Sequence, residues 1–97
     1  MKIKIIGVPP GDAPEWVRKE WVGLILQVAE DVPQKGVVEK GVLGGPPTNV
    51  GGYPVSTKEA VEMLREKSQK AARWWDENVF PELMPWLVFK KEVCKVI

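Results

Sequence analysis

Residues 56–79 read STKEAVEMLREKSQKAARWWDENV, and this stretch decides what the rest of the chain can be. Ser56 followed three positions later by Glu59 is a capping box, in which the hydroxyl accepts from a free backbone N–H and the carboxylate reaches back to the cap. After it Val61, Leu64, Ser68, Ala71, Ala72, Trp75 and Val79 recur at threes and fours, which puts them on one face of a helix. Lys58, Glu62, Glu66, Lys70, Arg73 and Glu77 take the opposite face. Lys58–Glu62, Glu66–Lys70 and Arg73–Glu77 stand four apart, and such pairs contribute only ~0.2–0.5 kcal/mol each. The apolar face therefore has to hold the helix. Ser68 interrupts that face and is itself a capping residue, so the pattern predicts one helix with a kink or break near Lys67–Gln69. Pro81 ends it and Pro85 keeps it from resuming.

Working outward, Trp86–Val96 reads as a last strand, its first half buried and its second half an edge. On the other side Tyr53–Val55 is a short strand feeding the helix, preceded by a Gly/Pro loop over Gly44–Gly52. Val37–Leu43 reads as a strand bent at Gly41, and Ala29–Gly36 as a polar turn. Trp21–Val28, apolar on both faces, reads as a central strand. Asp12 and Pro14 announce a short helix over Ala13–Glu20 with Trp16 packed beneath it. Lys2–Ile6 alternates as a half-buried strand. The expected class is α+β: about five strands in a small, bent antiparallel sheet or SH3-like barrel, with one long helix before the last strand. The resemblance to an SH3-like barrel enlarged by a helix is one of architecture, and architecture does not assign a function.

With 97 residues the chain is expected to be a single domain over 1–97. Its 14 basic and 13 acidic residues nearly cancel, which argues against a histone-like polycation. Cys94 is the sole cysteine and excludes an intrachain disulfide. Met1–Val8 lacks the apolar core of a signal peptide, and the longest apolar run, Trp21–Leu26, is too short to span a bilayer. These features predict a cytoplasmic protein with no membrane partner. The absence of histidine removes the commonest general base and the commonest transition-metal ligand. Cys94 therefore has no histidine to activate it, no cluster has zinc-ligand spacing, and neither a cofactor nor a metal is expected.

Three features invite a functional reading. Gly44–Gly52 has no G-K-[ST] and its two prolines remove N–H donors, so it reads as a connector and not as a phosphate cradle. Of the five tryptophans, Trp75 lies in the middle of the apolar stripe and belongs to the core, whereas Trp74 lies about 100° round the helix. Trp74 shares its flank with Met63, Lys67 and Lys70, a composition of recognition surfaces, and Trp21 is a second candidate for an exposed aromatic. Lys2, Lys4 and Lys90 converge if the first and last strands pair, and such a patch suits phosphates. A non-catalytic interaction module, binding a protein partner or a second copy as a homodimer, ranks first. Nucleic-acid binding through the lysines ranks second, and a small-molecule or catalytic role third.

Overall fold

The structure, a computed structural model, describes residues 1–29 and 52–97. The expected turn over Ala29–Gly36, the strand over Val37–Leu43 and the loop over Gly44–Gly52 lie outside the described residues, apart from their end residues Ala29 and Gly52. Among the described residues there are three α-helices and two small antiparallel sheets, an α+β arrangement.

Strand β1 (Lys2–Ile5) alternates as its sequence dictates, with lysines out and isoleucines fully buried. It sits in the middle of a three-stranded sheet. On one side β2 (Ile25–Gln27) pairs with it in the register Ile3↔Leu26, and on the other β5 (Cys94–Val96) pairs in the register Ile3↔Val96. The second sheet has two strands, β3 (Gly52–Ser56) and β4 (Trp86–Lys90), in the register Val55↔Leu87. These sheets do not close into a barrel among the described residues, so the SH3-like barrel is not what this arrangement presents.

The last segment also departs from its expected form. The chain does not run as one strand over Trp86–Val96. After β4 a 3-10 turn at Lys91–Val93 redirects it, and β5 joins the other sheet. The turn is held by the N–H of Ile6, which donates to the Val93 carbonyl at 2.8 Å. Burial follows the split: Leu87, Val88 and Phe89 are buried, whereas Lys95 and Val96 are exposed.

A second departure occurs at Trp21. The apolar run there is not a strand from its start. A short helix α1 (Glu15–Arg18) passes into a 3-10 turn at Lys19–Trp21, and β2 begins only at Ile25. Gly23, at φ 96, turns the chain between them and donates its N–H to the Ile5 carbonyl at 2.7 Å. That backbone conformation costs glycine nothing and a Cβ-bearing residue a good deal. Among the described residues β2 pairs with β1 alone, so the expected central position is not seen. Pro14, not Asp12, occupies the cap of α1, and Val17, not Trp16, is the residue buried beneath it. Arg18 ties this segment down by donating to the carbonyls of Ala13 and Pro9.

The one long helix expected over this stretch is two separate helices, divided at the serine that interrupts its apolar face. Helix α2 (Thr57–Lys67) and helix α3 (Gln69–Asn78) meet at Ser68, whose backbone is extended at φ −149, ψ 103. Both helices start on a serine. Ser56 Oγ accepts from the N–H of Glu59, and Ser68 Oγ accepts from the N–H of Ala71. The break folds α3 back beside α2, and Arg65 then reaches Asp76 eleven residues away with two hydrogen bonds of 2.8 and 2.9 Å. A two-pronged guanidinium–carboxylate pair of this kind is directional as well as attractive. It lowers the Asp76 carboxyl below its ordinary range. Among the described residues none of the three expected four-apart pairs forms; Arg65 instead turns to Glu62 and Asp76.

The core gathers round Trp21. Its ring packs edge-to-face on Trp75 at 5.5 Å and on Phe89 at 5.3 Å, joining the 3-10 turn, α3 and β4. The indole N–H groups of Trp21 and Trp75 are buried with no hydrogen-bond partner among the described residues.

Candidate functional site

The flank round Trp74 is less open than helical geometry alone suggests. Trp74 is half-buried, packed against the core, with its ring edge-to-face on Trp75 at 5.3 Å. The Lys67 amine does not shield it. It donates to the carbonyls of Glu20 and Val22, at the end of the 3-10 segment, so this lysine pins the end of α2 to the element before β2. Lys70 lies over Trp16, 5.5 Å from the ring centroid, and not over Trp74. Met63 is exposed on α2, and Trp21 lies at the centre of the core and reaches no surface. Trp21 is thus corrected from a candidate contact to a core residue: the 3-10 turn points it inward, where a strand was expected to alternate.

The lysines are distributed differently from the expected patch. Lys2 and Lys4 project from the outer face of β1, and the register places Lys95 of β5 directly beside Lys4. Lys90 ends β4 in the other sheet, opposite Gly52. Lys95 therefore takes the place expected for Lys90, because the last segment switches sheets between them. Ile25 and Gln27 of β2 complete this outer face, which carries no carboxylate on its three strands.

The most exposed large apolar side chain among the described residues, Leu83, lies in the turn over residues 79–86 that joins α3 to β4. Leu83 is 80% exposed and Phe80 53%. The turn is rigid. The Phe80 carbonyl accepts from the N–H groups of both Leu83 and Met84 at 2.9 Å, and prolines stand at 81 and 85. Thr57, buried at the start of α2, holds the far side: its hydroxyl donates to the Met84 carbonyl at 2.6 Å and its N–H to the Pro85 carbonyl at 3.0 Å. Beside the turn lies a cleft of about 160 Å³ between α2 and the end of α3. Val61, Trp75, Val79, Phe80 and Pro81 line it together with Thr57, Lys58, Glu62, Glu82 and the Arg65–Asp76 pair. Read as a sequence, the stretch over 80–86 is only the signal that stops a helix. The hint it carried was the density of large apolar residues between two prolines.

A larger groove, about 1000 Å³, runs between β2 and α2. Lys2, Lys58 and Arg65 line it together with Glu59, Glu62 and Glu66, a balance that singles out no ligand charge. Among the described residues no three histidine, cysteine or acidic side chains converge on a point where a metal would sit, and no helix is long and apolar enough to cross a membrane. Cys94 is half-buried, and burial together with the nearby Glu92 pushes its thiol up to about 11. It is a thiol, not a thiolate, at neutral pH, and a poor nucleophile.

Comparison of the chain with family models, with curated proteins and with solved structures finds no match. The functional reading therefore rests on the surface itself.

Proposed function

We propose that this protein is a non-catalytic interaction module that docks a protein partner through the turn over residues 79–86. The observation that carries the reading is Leu83, held 80% exposed on a turn whose backbone is fixed at both ends. A large aliphatic side chain in water on a flexible loop needs no explanation, because it is free to fold down. On a turn restricted by hydrogen bonds and prolines it has less freedom to lose, and preorganisation reduces the ordering cost of association. Phe80 beside it widens the exposed apolar surface, the kind of feature that marks recognition sites.

The test uses the full chain as bait in an extract of the source cells. A partner retained by wild type and lost with Leu83→Asp, while retained with the double variant Lys2→Glu/Lys4→Glu, supports the reading. A partner captured equally by wild type and Leu83→Asp sinks it.

A second reading has its own observation, the run of Lys2, Lys4 and Lys95 across an outer sheet face without a carboxylate. Such a face suits a phosphate backbone. Oligonucleotide binding through it should weaken steeply with salt and with Lys4→Glu.

A further inference from the structure

We infer that the ligand of the outer sheet face is double-stranded nucleic acid, held through its phosphates by Lys2, Lys4 and Lys95 and without regard to base sequence. The inference rests on the phosphate-binding reading of that face and names the ligand. The face is open to solvent: Lys2 and Lys4 of β1, Ile25 and Gln27 of β2 and Lys95 of β5 are all exposed. Lys2 and Lys4 stand two residues apart on one strand, a spacing of about 7 Å. The register sets Lys95 directly opposite Lys4, which brings their β-carbons to about 5 Å. Like charges directly opposite each other destabilise a sheet. The three strands carry no carboxylate to relieve that repulsion, and none of the three lysines forms an ion pair among the described residues. An anion laid across the face removes a cost that the free protein carries.

The kind of anion follows from what stands beside the cations. The face has lysines and no arginine. A guanidinium forks onto a carboxylate, whereas an ammonium is a point charge that suits phosphate. A phosphodiester backbone therefore fits this face better than an acidic peptide does. Single strands gain affinity by stacking their bases on aromatic rings, and the side chains of this face include no ring. Counterion release is then the driving force, and it is greater for a duplex: log K falls with log salt by about 0.9 per phosphate contact on a duplex and about 0.7 on a single strand. An amide such as that of Gln27 can read a base edge, but here it donates to the Met1 carbonyl at 3.0 Å. Phosphate contacts position a protein without specifying a sequence.

Fluorescence anisotropy tests this with labelled duplexes of two unrelated sequences and a single strand of equal length. Wild type is expected to bind both duplexes alike and the single strand more weakly. Three phosphate contacts give a slope of log K on log salt of about −2.7, or a loss of about 40-fold between about 50 and 200 mM salt. Lys4→Gln and Lys95→Gln are each expected to reduce the slope by about 0.9, whereas Lys90→Gln, in the other sheet, leaves it unchanged. Urea denaturation separates binding from a structural role: Lys95→Gln ends the repulsion with Lys4 and is expected to be no less stable than wild type. Destabilisation by Lys95→Gln overturns the proposal, as does a slope that Lys90→Gln lowers as far as Lys95→Gln does, or an affinity that differs between the two duplexes. Ile25 is 44% exposed beside Lys4, so anionic phospholipid vesicles are included, read by co-sedimentation, together with polyglutamate. Tighter binding to either one than to duplex also overturns it. A single strand that binds more tightly than duplex, yet is released by Lys4→Gln, ends the duplex and leaves the phosphate-binding face standing. Binding of no oligonucleotide, or binding indifferent to Lys4→Gln, ends both.

Discussion

Gly52→Ala is the sharpest test of the packing between β3 and β4. Gly52 begins β3 opposite Lys90, and a Cβ built on it overlaps Val88 Cγ1 and comes within 3.3 Å of the Phe89 carbonyl oxygen. Val88 is itself buried, at 1% exposure, and a β-branched side chain has little rotamer freedom with which to withdraw. Forcing a methyl into a filled site of this kind costs about 1–3 kcal/mol. Against it stands the entropy that alanine removes from the unfolded chain, about 0.4–1 kcal/mol in favour of the variant. That gain applies because no positive φ bars alanine at Gly52. The net expectation is a loss of up to about 2.6 kcal/mol, or a fall in Tm of up to roughly 20 °C for a domain of this size. The assay is a double-mutant cycle by urea denaturation. Val88→Ala removes the obstructing methyl, so in that background Gly52→Ala should become nearly neutral or stabilising. Equal destabilisation in both backgrounds would falsify the close approach as the reason for glycine, and would instead place the effect in the backbone or the unfolded state.

Trp75→Ala should cost about 3–5 kcal/mol, since it empties the contact between α3 and the Trp21 ring; an unchanged denaturation midpoint is incompatible with that core. Lys67→Met should cost about 1 kcal/mol, because it removes the charged donor from the Glu20 and Val22 carbonyls, while leaving partner capture unaltered. Asp76 has a folded-state pKa lowered by hydrogen bonding to Arg65 from an ordinary 3.8. Its contribution is therefore fully present above about pH 4 and is lost as pH falls through the lower folded value. The stability difference between wild type and Asp76→Asn should shrink over that acid window, and a difference constant down to about pH 2 contradicts the pairing. Because the pair is largely exposed, added salt should also reduce it. Cys94, with its thiol raised to about 11, should react with a disulfide reagent at about pH 8 much more slowly in the folded protein than in urea; equal rates would show that neither burial nor Glu92 acts on it.

Local signals in the sequence were reliable where the physics is local. The capping residues Ser56 and Ser68 act on backbone N–H groups three residues away, so the start of α2 was legible in the sequence and Ser68 marked where a break was possible, but the single long helix expected there is two helices. The alternation in Lys2–Ile5 and the stripe through Leu64 and Trp75 likewise named buried residues, because a face is a property of one element. Tertiary structure decided the rest. An apolar run such as Trp21–Val28 has no period that separates a strand from a 3-10 turn followed by a strand; the positive φ of Gly23 and its hydrogen bond to Ile5 make that choice. Trp86–Val96 has the composition of one strand, yet β4 and β5 belong to different sheets, since strand partners are chosen across the chain and not along it. The surface was the least legible part. Lys67 and Lys70 turn to the Glu20 and Val22 carbonyls and to Trp16, side chains and backbone distant in sequence. Leu83 has no periodic neighbour to mark it, and its exposure is set by the turn that Thr57, twenty-seven residues before Met84, holds in place.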